Sequence, residues 1–433
     1  MNKNFQLIVL VVFVIAAVFA VFVFSGAIPL GKDSDTGTAS GTVVLWGTVK
    51  ASIINTLLED FNLANDTFAV RYVEKSEETF DKDLLEALAS GIGPDMFFIN
   101  EDLVVKYSNK IFAIPYSSFP VNTFKDNFIG AGEVFLTSKG VLAFPLAVDP
   151  LMMYYNRSIL NDNGIAYPPS YWDELKNLAP ILNEKDEEGR LTRSTVAMGQ
   201  FSNVMHAKDL MAALFMQIGN PIITEIDGSF ASVLDEGTGN RSPEPVLKFY
   251  TDFANPLNDV YSWNKGFANS GDAFSKEQLV FYFGFASELQ SLINKNPNQN
   301  FDVVSIPQIR GSNFKLTSSR VTGVAISAFS KNFNTAFTAS GLMAQSGFAS
   351  RFADALLIAP ARRDLLANTP TDAYLPKFYA SAFFAKGWLD PSREDTDDIF
   401  RGMVGKVLSN SLSVTDALED ASEKLRLLLI PNI

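Results

Sequence analysis

TVVLWGTVKASIINTLLEDFNLANDTFAVRYVEKSEETFDKDLLEALASGIGPDMFFI, residues 42–99, is the stretch that decides the fold. Val43-Val44-Leu45-Trp46 is an apolar run of strand length. Ile54, Leu57, Leu58 and Phe61 then recur at helical spacing, and Phe68, Val70 and Tyr72 alternate as a strand does. Leu84, Leu85 and Leu88 mark a second helix, stopped by Gly91-Ile92-Gly93-Pro94, and Met96-Phe97-Phe98-Ile99 reads as a third strand. Strand, helix, strand, helix, strand in one stretch demands a parallel sheet covered on both faces, an α/β fold. Ligands of such sheets sit beyond the carboxyl ends of the strands, here at Trp46-Gly47-Thr48, Ser76-Glu77 and Asn100-Glu101.

A second unit begins after Val141-Leu142-Ala143-Phe144-Pro145. Ser170 and Asp173 have capping-box spacing and open a helix with Leu175, Leu178, Ala179 and Leu182 on one face. Ala207, Leu210, Met211 and Leu214 form another stripe, ending near Gly219, and Asp227-Gly228 reads as a hairpin turn. Beyond Pro243 the pattern is mainly helical. Strands are expected at Leu279 to Phe283, Phe301 to Val304 and Val324 to Ile326. Upstream, residues 7–24 are unbroken apolar sequence, long enough for a membrane-spanning helix. Lys3 precedes the run and Lys32, Asp33 and Asp35 follow it, which favours an exported body. A retained anchor is the expectation. A cleaved signal peptide is the competing reading, because Ser25-Gly26-Ala27 suits a cleavage site. Residues 25–41 are rich in Gly, Ser, Thr and Asp and read as a flexible linker.

The chain has 433 residues, no cysteine, one histidine and a formal net charge of −13. Two domains are the natural expectation at this length. Acidity argues against nucleic acid, whose phosphates require a basic surface. Without cysteine there is no disulfide, thiolate metal site, thiol nucleophile or lipid-modified N-terminal cysteine. No metal and no cofactor are expected. Tyr154-Tyr155 could hold ferric iron only with carboxylate or histidine partners. Residues 26–32 begin a phosphate-loop pattern, but Asp33 stands where Ser or Thr must bind magnesium, and no strand precedes it. Residues 184–189 resemble a calcium loop weakly; Thr195 stands where a bidentate Glu is needed, so a solvated hairpin is the better account. His206 has no Gly-x-Ser-x-Gly partner, and no enzyme constellation is legible, although a paired-carboxylate glycosidase has no required sequence spacing.

Several ordered segments resemble the extracellular solute-binding proteins of ABC transporters, the family that includes maltose-binding protein. Val43-Val44-Leu45-Trp46-Gly47-Thr48 is similar to its opening strand. Leu88-Ala89-Ser90-Gly91-Ile92-Gly93-Pro94-Asp95-Met96-Phe97 is similar to its helix–Gly–Pro–Asp–strand element. Phe144-Pro145-Leu146-Ala147-Val148-Asp149 followed by Tyr154-Tyr155-Asn156 resembles the crossing into a second lobe. Pro168-Pro169-Ser170-Tyr171-Trp172-Asp173-Glu174-Leu175 and Pro360-Ala361-Arg362-Arg363-Asp364 resemble later family segments. The resemblance implies a two-lobed periplasmic-binding-protein fold of type II character with a ligand cleft between the lobes. It implies hinge closure on an oligosaccharide and delivery to the transmembrane permease of an importer, without chemistry on the solute. The expected division is residues 42–145 with about 300–345 as lobe 1, and 146–299 with about 346–433 as lobe 2. A monomer at the outer face of the membrane is expected. A binder of a phosphorylated polyol, polyamine or peptide is the alternative, and a polysaccharide hydrolase a more distant one.

A sugar cleft needs aromatic platforms with planar donors and acceptors around them. Trp46, Trp263 and Tyr282 are the expected platforms. Ser76, Glu77, Asn100, Asp149 and Arg320 are the expected polar partners. Asp95 reads as a structural turn residue and Trp172 as a helix-packing one. Where the family often carries an aromatic-Trp-Gly segment, this chain has Arg320-Val321-Thr322-Gly323.

Overall fold

The opening stretch folds as its periodicities dictate: β1 (Gly41–Gly47), α1 (Ala51–Leu63), β2 (Phe68–Glu74), α2 (Phe80–Ala89) and β3 (Met96–Ile99), followed by a short α3 (Glu101–Tyr107). The structure is a computed structural model that describes residues 39–430. The apolar run, its phosphate-loop-like tail and the linker as far as residue 38 lie outside the described residues. Among the described residues, no helix is long and apolar enough to cross a membrane. β1 pairs in parallel with both β2 and β3. Ile54, Leu57 and Leu58 of α1 and Leu84 and Leu88 of α2 are buried, the stripes their spacing indicates. Asp95 is structural: one carboxylate oxygen accepts from the Val44 amide at 2.9 Å and the other from the Ser330 hydroxyl at 2.6 Å.

The rest of the chain builds on β4 (Ala143–Asn156), α4 (Trp172–Leu182), β5 (Leu191–Val196), α5 (Ala207–Gln217), the hairpin β6 (Ile223–Ile226) and β7 (Ser229–Ser232), β8 (Leu279–Phe285), β9 (Phe301–Ser305), β10 (Thr317–Ile326), α6 (Ser346–Leu356), α7 (Arg393–Leu408) and α8 (Val414–Leu428). β4 is the spine. Its first half pairs antiparallel with β10, and its second half with β8 and β9, so one strand serves two groups of partners. The sheet runs β2-β1-β3-β10-β4-β8-β5. Pro145 sits in β4 beside a bulge that shifts the register opposite Thr322 and Gly323, leaving Leu146 between Pro145 and Ala147. That bulge hides a fourteen-residue strand from periodicity reading, which registers only its ends.

The β6–β7 turn has Asp227 at φ 51° and Gly228 at φ 80°, the left-handed pair a tight hairpin requires. The capping box differs from expectation. Gln308 holds Ser170 in an extended pairing through its carbonyl, so α4 starts two residues later. Glu174 accepts from the Ser170 and Tyr171 amides at 2.9 and 3.3 Å, while Asp173 pairs with Arg310. Trp172 packs on Phe283 and donates to Gln217 at 2.7 Å, fixing α4 to the sheet and to α5. Residues 184–190 form the expected hairpin, in which Asp186 accepts from the Arg190 amide and side chain. Tyr154 is buried with its hydroxyl on the Phe285 carbonyl, and burial holds its pKa well above the ordinary value. Among the described residues there is no group of three or more His, Cys, Asp and Glu placed to hold a metal ion.

Candidate functional site

Beyond the carboxyl ends of β1 and β3 lies a cleft of about 1480 Å³. Thr48, Asn100, Arg320 and Thr322 line one side. Phe201 and His206, just before α5, and Phe230 of the β6–β7 hairpin line another. The sheet puts the first group in place. β10 runs beside β4 with Arg320 opposite Asp149 and Thr322 opposite Ala147, so Arg320 and Thr322, two residues apart, share a face. The Thr322 hydroxyl donates to Asn100 Oδ1 at 3.1 Å, at the carboxyl end of β3.

Of the eight residues the sequence singles out, Glu77, Asn100 and Arg320 line this cleft. Glu77 is exposed and accepts from Arg393 at 3.0 Å. Ser76 is exposed beside it. Trp46 is half-buried, with the Lys75 ammonium 3.8 Å above its ring. Asp149 is buried; both its oxygens are taken by the amide (3.0 Å) and hydroxyl (2.6 Å) of Ser287, and burial raises its pKa.

Trp263 and Tyr282 are corrections to the sequence reading. Trp263 has no exposed surface: it stacks on Phe267 at 4.5 Å and donates to Asn203 at 3.0 Å. Its polar neighbours suggested a loop ligand, but the ring turns inward to Asn203, sixty residues away, while Ser262 and Asn264 bond within their own loop. Tyr282 is 1% exposed, packed between Phe274 and Tyr154, and its hydroxyl donates to Glu288 at 2.6 Å. β8 is buried along its whole length, so alternation cannot bring that ring to solvent.

Three features of the site emerge only in the folded chain, although the strand-end rule already pointed at Glu101. The first is a stack: the Arg320 guanidinium lies 3.9 Å from the Phe285 ring centroid, and the Phe285 edge meets His206 at 4.9 Å. His206 takes φ 58° ahead of α5, and its Nε2 is 2.6 Å from Glu288. The second is Glu101, which lines the cleft yet is buried and accepts from the Val321 amide at 2.7 Å. Burial first, and the neighbouring Asp102 second, push its carboxyl up to about 8. The third is a charged chain: Lys208 of α5 donates to Asp390 at 2.7 Å and Thr396 at 2.9 Å, and Arg393 reaches Asp102 at 2.7 Å. These partners are separated by up to 291 residues, beyond any local spacing signal.

Carboxylates outnumber Lys and Arg along the cleft, yet most are already matched. Arg393 takes Asp102 and Glu77, Lys208 takes Asp390, Lys106 takes Asp81, and Arg401 takes Asp397 and Asp398. The arrangement is a mixed polar and apolar groove whose carboxylates are mostly paired within the protein.

The sequence profile of a family described as bacterial extracellular solute-binding protein matches residues 47–356. A binding protein of Brucella abortus (strain 2308) is 25% identical over 152 residues, covering 34% of this chain. The chain matches about a third of that relative's length, 36%. A cyclo/maltodextrin-binding protein complexed with maltotetraose superposes with a TM-score of 0.72 at 15% identity, covering 93% of this chain and all of the other. The cyclic alpha-maltosyl-1,6-maltose binding protein of Arthrobacter globiformis gives 0.72 at 16% identity, covering 90% and 98%. The sugar-binding protein MalE of Xanthomonas citri gives 0.69 at 17%, covering 90% and 97%. The architecture is therefore the two-lobed α/β one of these binding proteins.

Proposed function

This chain belongs to the bacterial extracellular solute-binding proteins, and from that premise we propose that it receives a carbohydrate, an oligosaccharide by preference, for an ABC importer. The observation that carries the reading is the cleft of about 1480 Å³, walled by β3 and β10 on one side and the start of α5 on the other. Three structural neighbours of like architecture are named for maltose, maltodextrin or other sugars, which supports the class of guest. Binding on both walls stabilises a closed form and shifts its population. The solute leaves intact for the membrane subunits of a permease, and the receptor acts as a monomer tethered by residues 7–24, whose apolar length supports an anchor.

Strand pairing refines the proposed lobes. β1 to β3 with the first half of β4 form the core of one, and β5, β8 and β9 with the second half of β4 that of the other. We assign α6 to the first, because it packs on α1, and α7 and α8 to the second, because α8 packs on β7 and residues 244–252.

Thermal unfolding of residues 42–433 against sugars, polyamines and phosphorylated polyols tests this directly. At a hundredfold excess over Kd, a ligand that binds only the folded chain adds about 2.7 kcal/mol. A shift with an oligosaccharide is the expected outcome. A shift with polyamines or free polyol phosphates alone would replace the sugar reading by that solute class.

A further inference from the structure

Among the described residues, Arg320 is the one guanidinium lining the cleft without a carboxylate in ion-pairing contact. Among the described residues no carboxylate lies within ion-pairing distance of it and no acceptor takes its N–H groups, whereas Arg393 and Arg401 are each doubly paired. Its one partner is the Phe285 ring, 3.9 Å away. A ring beneath a guanidinium occupies its face and leaves the donors at its edge free. Those donors are available to a guest of the cleft that Arg320 lines.

The neighbours that could have done so are committed elsewhere. Asp149, directly across the strand pair, has both oxygens on Ser287. Glu288 is held by His206, Tyr282 and the Phe285 amide. Glu101 accepts from the Val321 amide and, with its carboxyl raised to about 8, carries a proton at neutral pH. Beside Arg320, the Asn100 carbonyl is occupied by Thr322, so the free group it offers is its NH₂, a second donor. The aromatic faces expected to stack a neutral ring are withheld: Trp263 and Tyr282 are buried and Trp46 lies under Lys75.

From this juxtaposition we infer that the solute is an acidic sugar, whose carboxylate or ester-phosphate oxygens are gripped by the edge of Arg320 and the Asn100 amide. The inference rests on the carbohydrate reading above. The acidity of the cleft as a whole does not oppose it, because the remaining carboxylates are mostly paired and exposed charges fade within a Debye length, about 8 Å at physiological salt. Arg is suited to such a guest because its fork matches a planar oxyanion in two parallel hydrogen bonds.

Calorimetric titration of the full-length chain in detergent tests it. The titrants are oligosaccharides in matched pairs, neutral and oxidised to the uronate at C6, with a phosphorylated sugar as a separate arm to tell carboxylate from phosphate. The acidic member is expected to bind at least about tenfold more tightly than its neutral twin, a difference of about 1.4 kcal/mol. Arg320→Gln should erase that difference, and Arg320→Lys should restore part of it. Should Arg320→Gln fail to fold, salt dependence of the natural chain replaces it: raising salt must weaken the acidic ligands and spare the neutral ones. Equal or tighter binding of neutral sugars would overturn the inference and leave the carbohydrate reading standing. Silence across every sugar would overturn both.

Discussion

Lys208→Met is expected to destabilise the protein by about 3–5 kcal/mol, the usual consequence of stranding one member of a buried ion pair. Lys208 and Asp390 are both nearly inaccessible, with side chains 8% and 5% exposed. Burial already pushes the Asp390 carboxyl up, and the Lys208 ammonium is the principal group holding it down. Without the ammonium, Asp390 is left with Thr396 as its buried side-chain donor. The measurement is the denaturant midpoint. A second variant separates charge from packing: Lys208→Met with Asp390→Leu should recover most of the loss, because an apolar pair needs no partner. If the double variant is no more stable than the single one, the pair is not the cause.

Glu101 supplies the second large effect, and its sign follows from linkage. Its folded pKa of about 8 lies above the unfolded value. Between those two values the folded chain holds a proton that the unfolded chain has released. The stabilising contribution is therefore complete below about pH 4.5, declines as pH rises, and is exhausted above about pH 8. At one pKa unit per 1.36 kcal/mol the contribution is at most about 5 kcal/mol. Glu101→Gln fixes the neutral form and keeps an oxygen for the Val321 amide. Its stability relative to the natural chain should therefore improve as pH rises from 5 to 8.5. Parallel pH profiles for the two proteins would show that Glu101 is ionised in the fold.

Much of this fold is written locally. Every element between residues 41 and 99 follows from apolar spacing and from the Gly-Pro stop before Asp95, because strands and helices that short are decided by their own periodicity. The Asp227-Gly228 hairpin is equally local. β4 was less accessible, since two prolines and a bulge interrupt its pattern while its neighbours on both sides supply the pairing. The cleft was legible in part. The rule that ligands lie beyond strand ends leads to Thr48, Glu77, Asn100 and Glu101, all of which line it. Trp263 and Tyr282 show where choosing aromatics by sequence fails: Trp263, in a polar segment, buries its ring against Phe267 and bonds the distant Asn203, and Tyr282 sits in a strand buried along its whole length. The Arg320–Phe285–His206 stack and the Lys208–Asp390 pair join residues far apart in the chain, so only the folded sheet brings them together.

The central claim is that two halves close on a guest and release it unchanged. Small-angle X-ray scattering across a titration, with mass spectrometry of the recovered solute, tests it most directly. A saturable fall in the radius of gyration, with the sugar recovered intact, is the predicted result. Binding without compaction, or recovery of a cleaved or modified sugar, would contradict the account.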